Sequence, residues 1–167
     1  MNKFTSIESI YKHYYKDVYR YIYSLCRNTS WTEDIVQETF YRSYDHLGDL
    51  ESERVKPWLF RVAYNTFVDM YRKEKRHQEH AKSLEVQSMR SAMDEVLVKE
   101  RIDEWMSLTE ELTTSQRNIV QLRDYHDFTY DEISKLTGLT LANVKVQLFR
   151  ARKAMNQKLK GDEQNEM

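Results

Sequence analysis

Trp58, Arg61, Asn65, Asp69, Arg72 and Arg76 recur at intervals of three and four residues, with Val62 next to Arg61, which places all seven on one side of a helix. A solvated helix face carries Lys and Glu in i,i+4 pairs and few large aromatics. An indole among guanidinium groups has the chemistry of stacked bases and paired phosphates, so this side reads as a nucleic-acid-binding surface.

A second set lies in "LTGLTLANVKVQLFRARKAM". With Leu141, Val144, Leu148, Ala151 and Met155 turned inward at the helical period, Ala142, Asn143, Val146, Phe149, Arg150 and Lys153 turn outward. A helix in the major groove needs cations for phosphates, an amide or guanidinium for base edges, and apolar surface against thymine methyls. Val146 and Phe149 fit the last need. The other reading of the same residues is a basic helix that docks on a protein with Val146 and Phe149 as anchors.

Net charge is −1 over 167 residues, but it is unevenly spread. From Trp31 to Glu53 the acids Glu33, Asp34, Glu38, Asp45, Asp49, Glu51 and Glu53 precede or surround a single base, Arg42; from Lys145 to Lys160 the bases meet no acid. Two oppositely charged surfaces imply two kinds of partner. No nucleophile elbow, phosphate loop, zinc motif or convergent acid pair is present, so no catalytic residue, metal ligand or cofactor is expected and the chain does not read as an enzyme. "HQEH" sets His77 and His80 a turn apart, but no further ligands converge there.

The elements that position these sets are helical. Three glycines and one proline are too few to punctuate many strands, and the single cysteine, Cys26, excludes an intramolecular disulfide. No apolar run reaches membrane-spanning length and the N-terminus does not read as a signal peptide, so the expectation is a cytoplasmic protein.

A first helix buries Ile7, Ile10, Tyr14, Val18, Tyr21 and Leu25. A second, capped by Ser30 or Thr32, buries Val36, Phe40, Ser43, Tyr44 and Leu47 and leaves Asp34, Glu38, Tyr41 and Asp45 opposite. "GDLESERVK" reads as a polar loop before Pro57, the first residue of a third helix whose inner stripe is Leu59, Ala63, Thr66, Phe67 and Met70. Farther on, Thr113, Thr114 or Ser115 caps a helix with Ile119 and Leu122. Thr129 caps one with Ile133 and Leu136, and Gly138 turns the chain before Thr140 caps the last. The fold expected is all-α, with two small helical domains joined by a flexible linker: an N-terminal domain over 1–76, a linker over 77–92, a helix-turn-helix domain over 93–160 and a polar tail over 161–167.

"WTEDIVQETFYRSY", "PWLFRVAYNTFVDMYRKEKR", "LTTSQRNIVQLRDYHDFTYDEIS" and "VKVQLFRARKAM", in this order, resemble the successive motifs of the extracytoplasmic-function sigma factors of bacterial RNA polymerase. The resemblance implies a sigma factor that binds core RNA polymerase, recognises two promoter elements and opens promoter DNA. It implies that Asp34, Gln37 and Glu38, with Tyr41 on the same face, meet the polymerase clamp. Trp58 and Asn65 occupy the strand-opening motif, joined by Arg61, Arg72 and Arg76, and Leu50 sits in a loop that holds a flipped nontemplate base. Lys145, Phe149 and Arg150 match DNA-contacting positions in the upstream reader, flanked by Thr140, Asn143, Val146, Gln147 and Lys153. Asn143, Val146 and Gln147 depart from the common family pattern. Arg152, near the buried edge, would serve a phosphate or helix-end electrostatics. An anti-sigma factor, which can be membrane-bound, is a further implied partner, while this chain itself inserts in no membrane. The competing function is a two-domain helix-turn-helix regulator that binds an operator without being a polymerase subunit.

Overall fold

The computed structural model describes residues 6–80, 105 and 107–165, with side chains described outside 77–80. The chain forms two compact units. The first holds α1 (Ile7–Cys26), α2 (Thr29–Leu47) and α3 (Ser52–His80); the second holds α4 (Thr114–Val120), a π-helical turn (Gln121–Tyr125), α5 (Tyr130–Thr137) and α6 (Leu141–Asn165). No strand occurs among the described residues, so the all-α expectation holds.

In the first unit each helix packs on the other two. Tyr14, Val18, Tyr21, Ile22 and Leu25 of α1 are buried against Ile35, Val36, Phe40 and Leu47 of α2 and Leu59, Phe60, Ala63 and Phe67 of α3. Tyr21 stacks on Phe60 with ring centroids 4.9 Å apart, so the tyrosines of the inner face serve as core, as their spacing indicated. Ser6 caps α1 in a reciprocal box with Ser9.

Four local expectations are corrected. The cap of α2 is Asn28, whose Oδ1 accepts from the Trp31 amide at 2.9 Å; Thr32 is fully buried and its hydroxyl donates to the Asn28 carbonyl. The third helix starts at Ser52, so Pro57 lies inside it and "GDLESERVK" is a short turn at 48–51 followed by helix. Burial of Val55, only 1% exposed, offsets the backbone bond that Pro57 cannot donate. Tyr44 is 60% exposed, outside the inner stripe, and Leu141, at the open first turn of α6, is 43% exposed. Residues 81–92 of the expected linker lie outside the described residues, while α3 continues to His80.

In the second unit Leu112, Ile119, Val120, Leu122, Phe128, Ile133, Leu136, Val144, Leu148 and Ala151 form the core. Thr113 and Thr129 each close a capping box, with Gln116 and Glu132 respectively. Gly138, at φ 78°, ends α5 in the left-handed region that glycine enters without a Cβ penalty. The Thr140 hydroxyl then accepts from the Asn143 amide at 3.2 Å and starts α6. Two helices joined by this tight turn make the expected helix-turn-helix.

Candidate nucleic-acid and protein-docking surfaces

On α2, burial of Ile35, Val36, Thr39, Phe40 and Ser43 commits one side to the core and turns Asp34, Gln37 and Tyr41 outward. Tyr41 is 78% exposed, a large aromatic at the edge of an acidic strip. Glu38 is half-buried and receives a hydrogen bond from Arg42 Nε at 3.0 Å. The same guanidinium donates through Nη1 to Asp69 Oδ2 at 3.2 Å, linking α2 to α3. The hydrogen bond to Glu38, then that to Asp69, holds Arg42 above its ordinary pKa against the opposing pull of burial. Asp34 is in no ion pair among the described residues, so its charge is open to a partner.

On α3, Arg61, Asn65, Arg72 and Arg76 are exposed on the side opposite Leu59, Ala63 and Phe67. Trp58 is half-buried at the start of that row and packs beside the His46 ring, centroids 5.5 Å apart. Leu50, in the turn between α2 and α3, is half-buried, with only four residues separating the two helices. The structure therefore brings Trp58, Arg61, Asn65, Arg72 and Arg76 to one exposed face of α3, with Asp69 neutralised by Arg42 among them.

On α6, Lys145, Val146, Phe149, Arg150 and Lys153 are exposed and Gln147 is half-buried. Phe149 is 69% exposed and Val146 45%, so neither is needed by the core of its own unit. Asn143 is exposed, and its backbone amide is held by Thr140. Arg152 is not offered outward as Lys153 is: its guanidinium forks onto both carboxylate oxygens of Asp124, which holds its pKa up.

Sequence reasoning missed the Arg42–Asp69 link, the His46–Trp58 contact and the Arg152–Asp124 fork. The i,i+4 spacing of Glu38 and Arg42 is a readable signal for the first half of the Arg42 network; the others join residues distant in sequence. Cys26 is held by hydrogen bonds with Thr32 and Asn28, and burial pushes its thiol pKa up.

Residues 10–77 match the family model of Sigma-70 region 2, and residues 102–155 that of Sigma-70 region 4. Over 154 residues the chain is 36% identical to the ECF RNA polymerase sigma factor SigM of Bacillus subtilis, an alignment that covers 90% of this chain and 93% of that protein. The chain belongs to the extracytoplasmic-function family of RNA polymerase sigma factors. The RNA polymerase sigma factor YlaC of the same organism is 24% identical over 158 residues, covering 88% of each chain. Among solved structures, the sigma factor RpoE in complex with the anti-sigma factor NepR from Bartonella quintana matches with a TM-score of 0.69 at 22% identity, over 86% of this chain and 90% of that one. CnrH in complex with the cytosolic domain of CnrY matches with a TM-score of 0.66 at 20% identity, over 93% and 88%. These two likenesses carry the fold. As a sigma factor the chain acts in transcription initiation, and the operator-binding regulator is not favoured. The region 2 match contains the α2 and α3 surfaces, and the region 4 match contains the α6 surface as far as Met155. No helix of the described residues is long and apolar enough to cross a membrane.

Proposed function

We propose that the three surfaces divide the work of a sigma factor. The acidic strip of α2, through Asp34, Gln37, Glu38 and Tyr41, docks on a basic surface of core polymerase. Charge complementarity of this kind sets orientation and association rate more than final affinity. The α3 face separates the strands of the downstream promoter element. Trp58 stacks at the fork, the Asn65 amide bonds a base edge, and Arg61, Arg72 and Arg76 hold the backbone, while Leu50 lines the seat of an extruded base. Stacking is worth about 1–3 kcal/mol per base, comparable with the few kcal/mol needed to unstack and unpair one. The α6 face reads the upstream element through Thr140, Asn143, Lys145, Val146, Gln147, Phe149, Arg150 and Lys153.

The observation that carries this reading is the α3 face itself: exposed arginines and Asn65 in register with Trp58, inside the stretch that matches region 2. The division into a domain over 1–76, a linker over 77–92, a reader over 93–160 and a tail over 161–167 follows the same scheme. The linker lets two promoter elements be held at once. The chain supplies binding and no catalytic group of its own, and it works in the cytoplasm beside the polymerase. The solved relatives RpoE and CnrH are each complexed with another protein, NepR named as an anti-sigma factor, and a partner of that class restrains this chain too.

The test is purified full-length chain added to bacterial core polymerase with a library of promoter fragments. Initiation from a defined subset, absent with core alone, supports the reading. DNA binding that is indifferent to polymerase contradicts it.

A further inference from the structure

Helix α6 does not end where the match to region 4 ends at residue 155; it runs on to Asn165. Beside it lies a cleft of about 570 Å³, floored by Leu148 and Phe149 and rimmed by Tyr130 of α5 and by Lys145, Lys153, Asn156 and Lys160 of α6. Among the described residues no carboxylate lines it; Arg152, which does, is paired with Asp124, and Lys153, Asn156 and Lys160 are exposed. The extension is held in place, since Lys158 is bonded to the Ser107 carbonyl and lies 3.4 Å from Glu110. The cationic run stops at Asp162 and Glu163.

We propose that this cleft is a second DNA contact, a seat for backbone phosphates of duplex DNA flanking the upstream element, in which Lys153, Asn156 and Lys160 are the donors and Tyr130 closes the far wall. The inference rests on α6 being the reader of that element. The helix rises 1.5 Å per residue, so Asn143 to Lys160 spans about 26 Å, against a major groove about 12 Å wide. With Asn143 to Phe149 at the base edges, the last turns leave the groove floor and meet the phosphate rim. Lysine and amide groups around a hollow that no described carboxylate lines are donors of the kind that position proteins on DNA without reading sequence. Lys145 and Phe149 line the cleft and also lie on the reading face, so the two contacts are continuous.

The test uses holoenzyme assembled from core polymerase and the full chain, with a promoter duplex selected from a random library by the wild-type holoenzyme. Affinity is measured on that duplex and its single-base-pair variants, at about 50 and about 200 mM salt. Lys160→Ala weakens binding by the same factor on every variant. Because each phosphate contact adds about 0.9 to the salt slope, it also shrinks the affinity ratio between the two salts about 3.5-fold. Asn156→Ala weakens binding several-fold with the slope kept, and Lys160→Arg behaves as wild type. Lys145→Ala separates the two failures. If it weakens binding while Lys160→Ala and Asn156→Ala match wild type, the extension lies off the DNA and the inference falls while the reading of α6 stands. If all three match wild type, that reading falls as well. A Lys160→Ala loss confined to particular base pairs overturns the phosphate assignment.

Discussion

Arg42 Nη1 lies 3.2 Å from Asp69 Oδ2 and ties the acidic helix α2 to the face of α3 that carries Trp58, Asn65, Arg72 and Arg76. An exposed pair of this kind contributes only about 0–1 kcal/mol to stability. Its larger effect is electrostatic, because Asp69 is an acid among groups placed to meet a polyanion. Arg42→Ala uncovers that charge, and at a separation of about 8 Å the repulsion of a phosphate is about 0.5–2 kcal/mol for effective dielectrics between water and protein surface. Open-complex formation with Arg42→Ala therefore falls several-fold with little change in melting temperature. Arg42→Ala combined with Asp69→Asn recovers most of it. Rate measurements on the single and double variants check this; a double variant no better than the single contradicts it.

Asp34→Lys with Glu38→Lys weakens association with core polymerase about tenfold or more, about 1.4 kcal/mol, with the loss largest at low salt. The neutral substitutions are not equal. Glu38 already shares its charge with Arg42, whereas Asp34 has no ion-pair partner among the described residues, so Asp34→Asn costs more than Glu38→Gln. Binding of labelled chain to core polymerase at two salt concentrations measures both effects.

Asn65→Ala leaves core binding unchanged and lowers strand opening, since its side chain is exposed and is not needed by the core. Permanganate reactivity of thymines in the melted region reports the loss directly. Reactivity equal to wild type removes Asn65 from the strand-opening set.

Much of this was legible beforehand, and the exceptions share a cause. Inner stripes such as Tyr14, Val18, Tyr21 on α1 and Ile133, Leu136 on α5 repeat at the helical period, and Thr113, Thr129, Gly138 and Thr140 are termini with local signatures, so each follows from near neighbours in the chain. The third helix begins at Ser52 and carries Val55 into a buried place, which no local pattern in "GDLESERVK" reports. The cap of α2 is Asn28, and Thr32, equally suited by type, lies a turn inside the helix with its hydroxyl bonded to the Asn28 carbonyl and beside Cys26. Helical spacing puts Tyr44 at the edge of the inner stripe with Ser43 and Leu47, yet it is exposed, since a tyrosine is as much at home on a binding surface. Among the site residues, periodicity brought out Asn65, Arg72, Val146 and Phe149, but the pairing of Arg42 with Asp69 joins residues 27 apart and needed the packed bundle.

Phe149 and Leu148 adjoin in sequence and differ in kind. Leu148 is 2% exposed and Phe149 69%, so Leu148→Ala lowers unfolding free energy by about 2–5 kcal/mol, while Phe149→Ala stays within about 0.5 kcal/mol. Phe149→Ala instead changes promoter preference at particular base pairs by about 1–3 kcal/mol. Thermal melting beside initiation rates on single-base-pair promoter variants separates the two. A stability loss at Phe149 that parallels a uniform loss of initiation makes it a packing residue.

The most direct test of the central claim is multi-promoter transcription in vitro with core polymerase and the purified full-length chain, compared with Asn65→Ala and Lys145→Ala. The account predicts initiation at a defined promoter set only when the chain is present. Asn65→Ala then fails after DNA binding and before strand opening, and Lys145→Ala fails at binding. Initiation that both variants support as well as wild type, or DNA binding by the chain alone that polymerase does not alter, contradicts it.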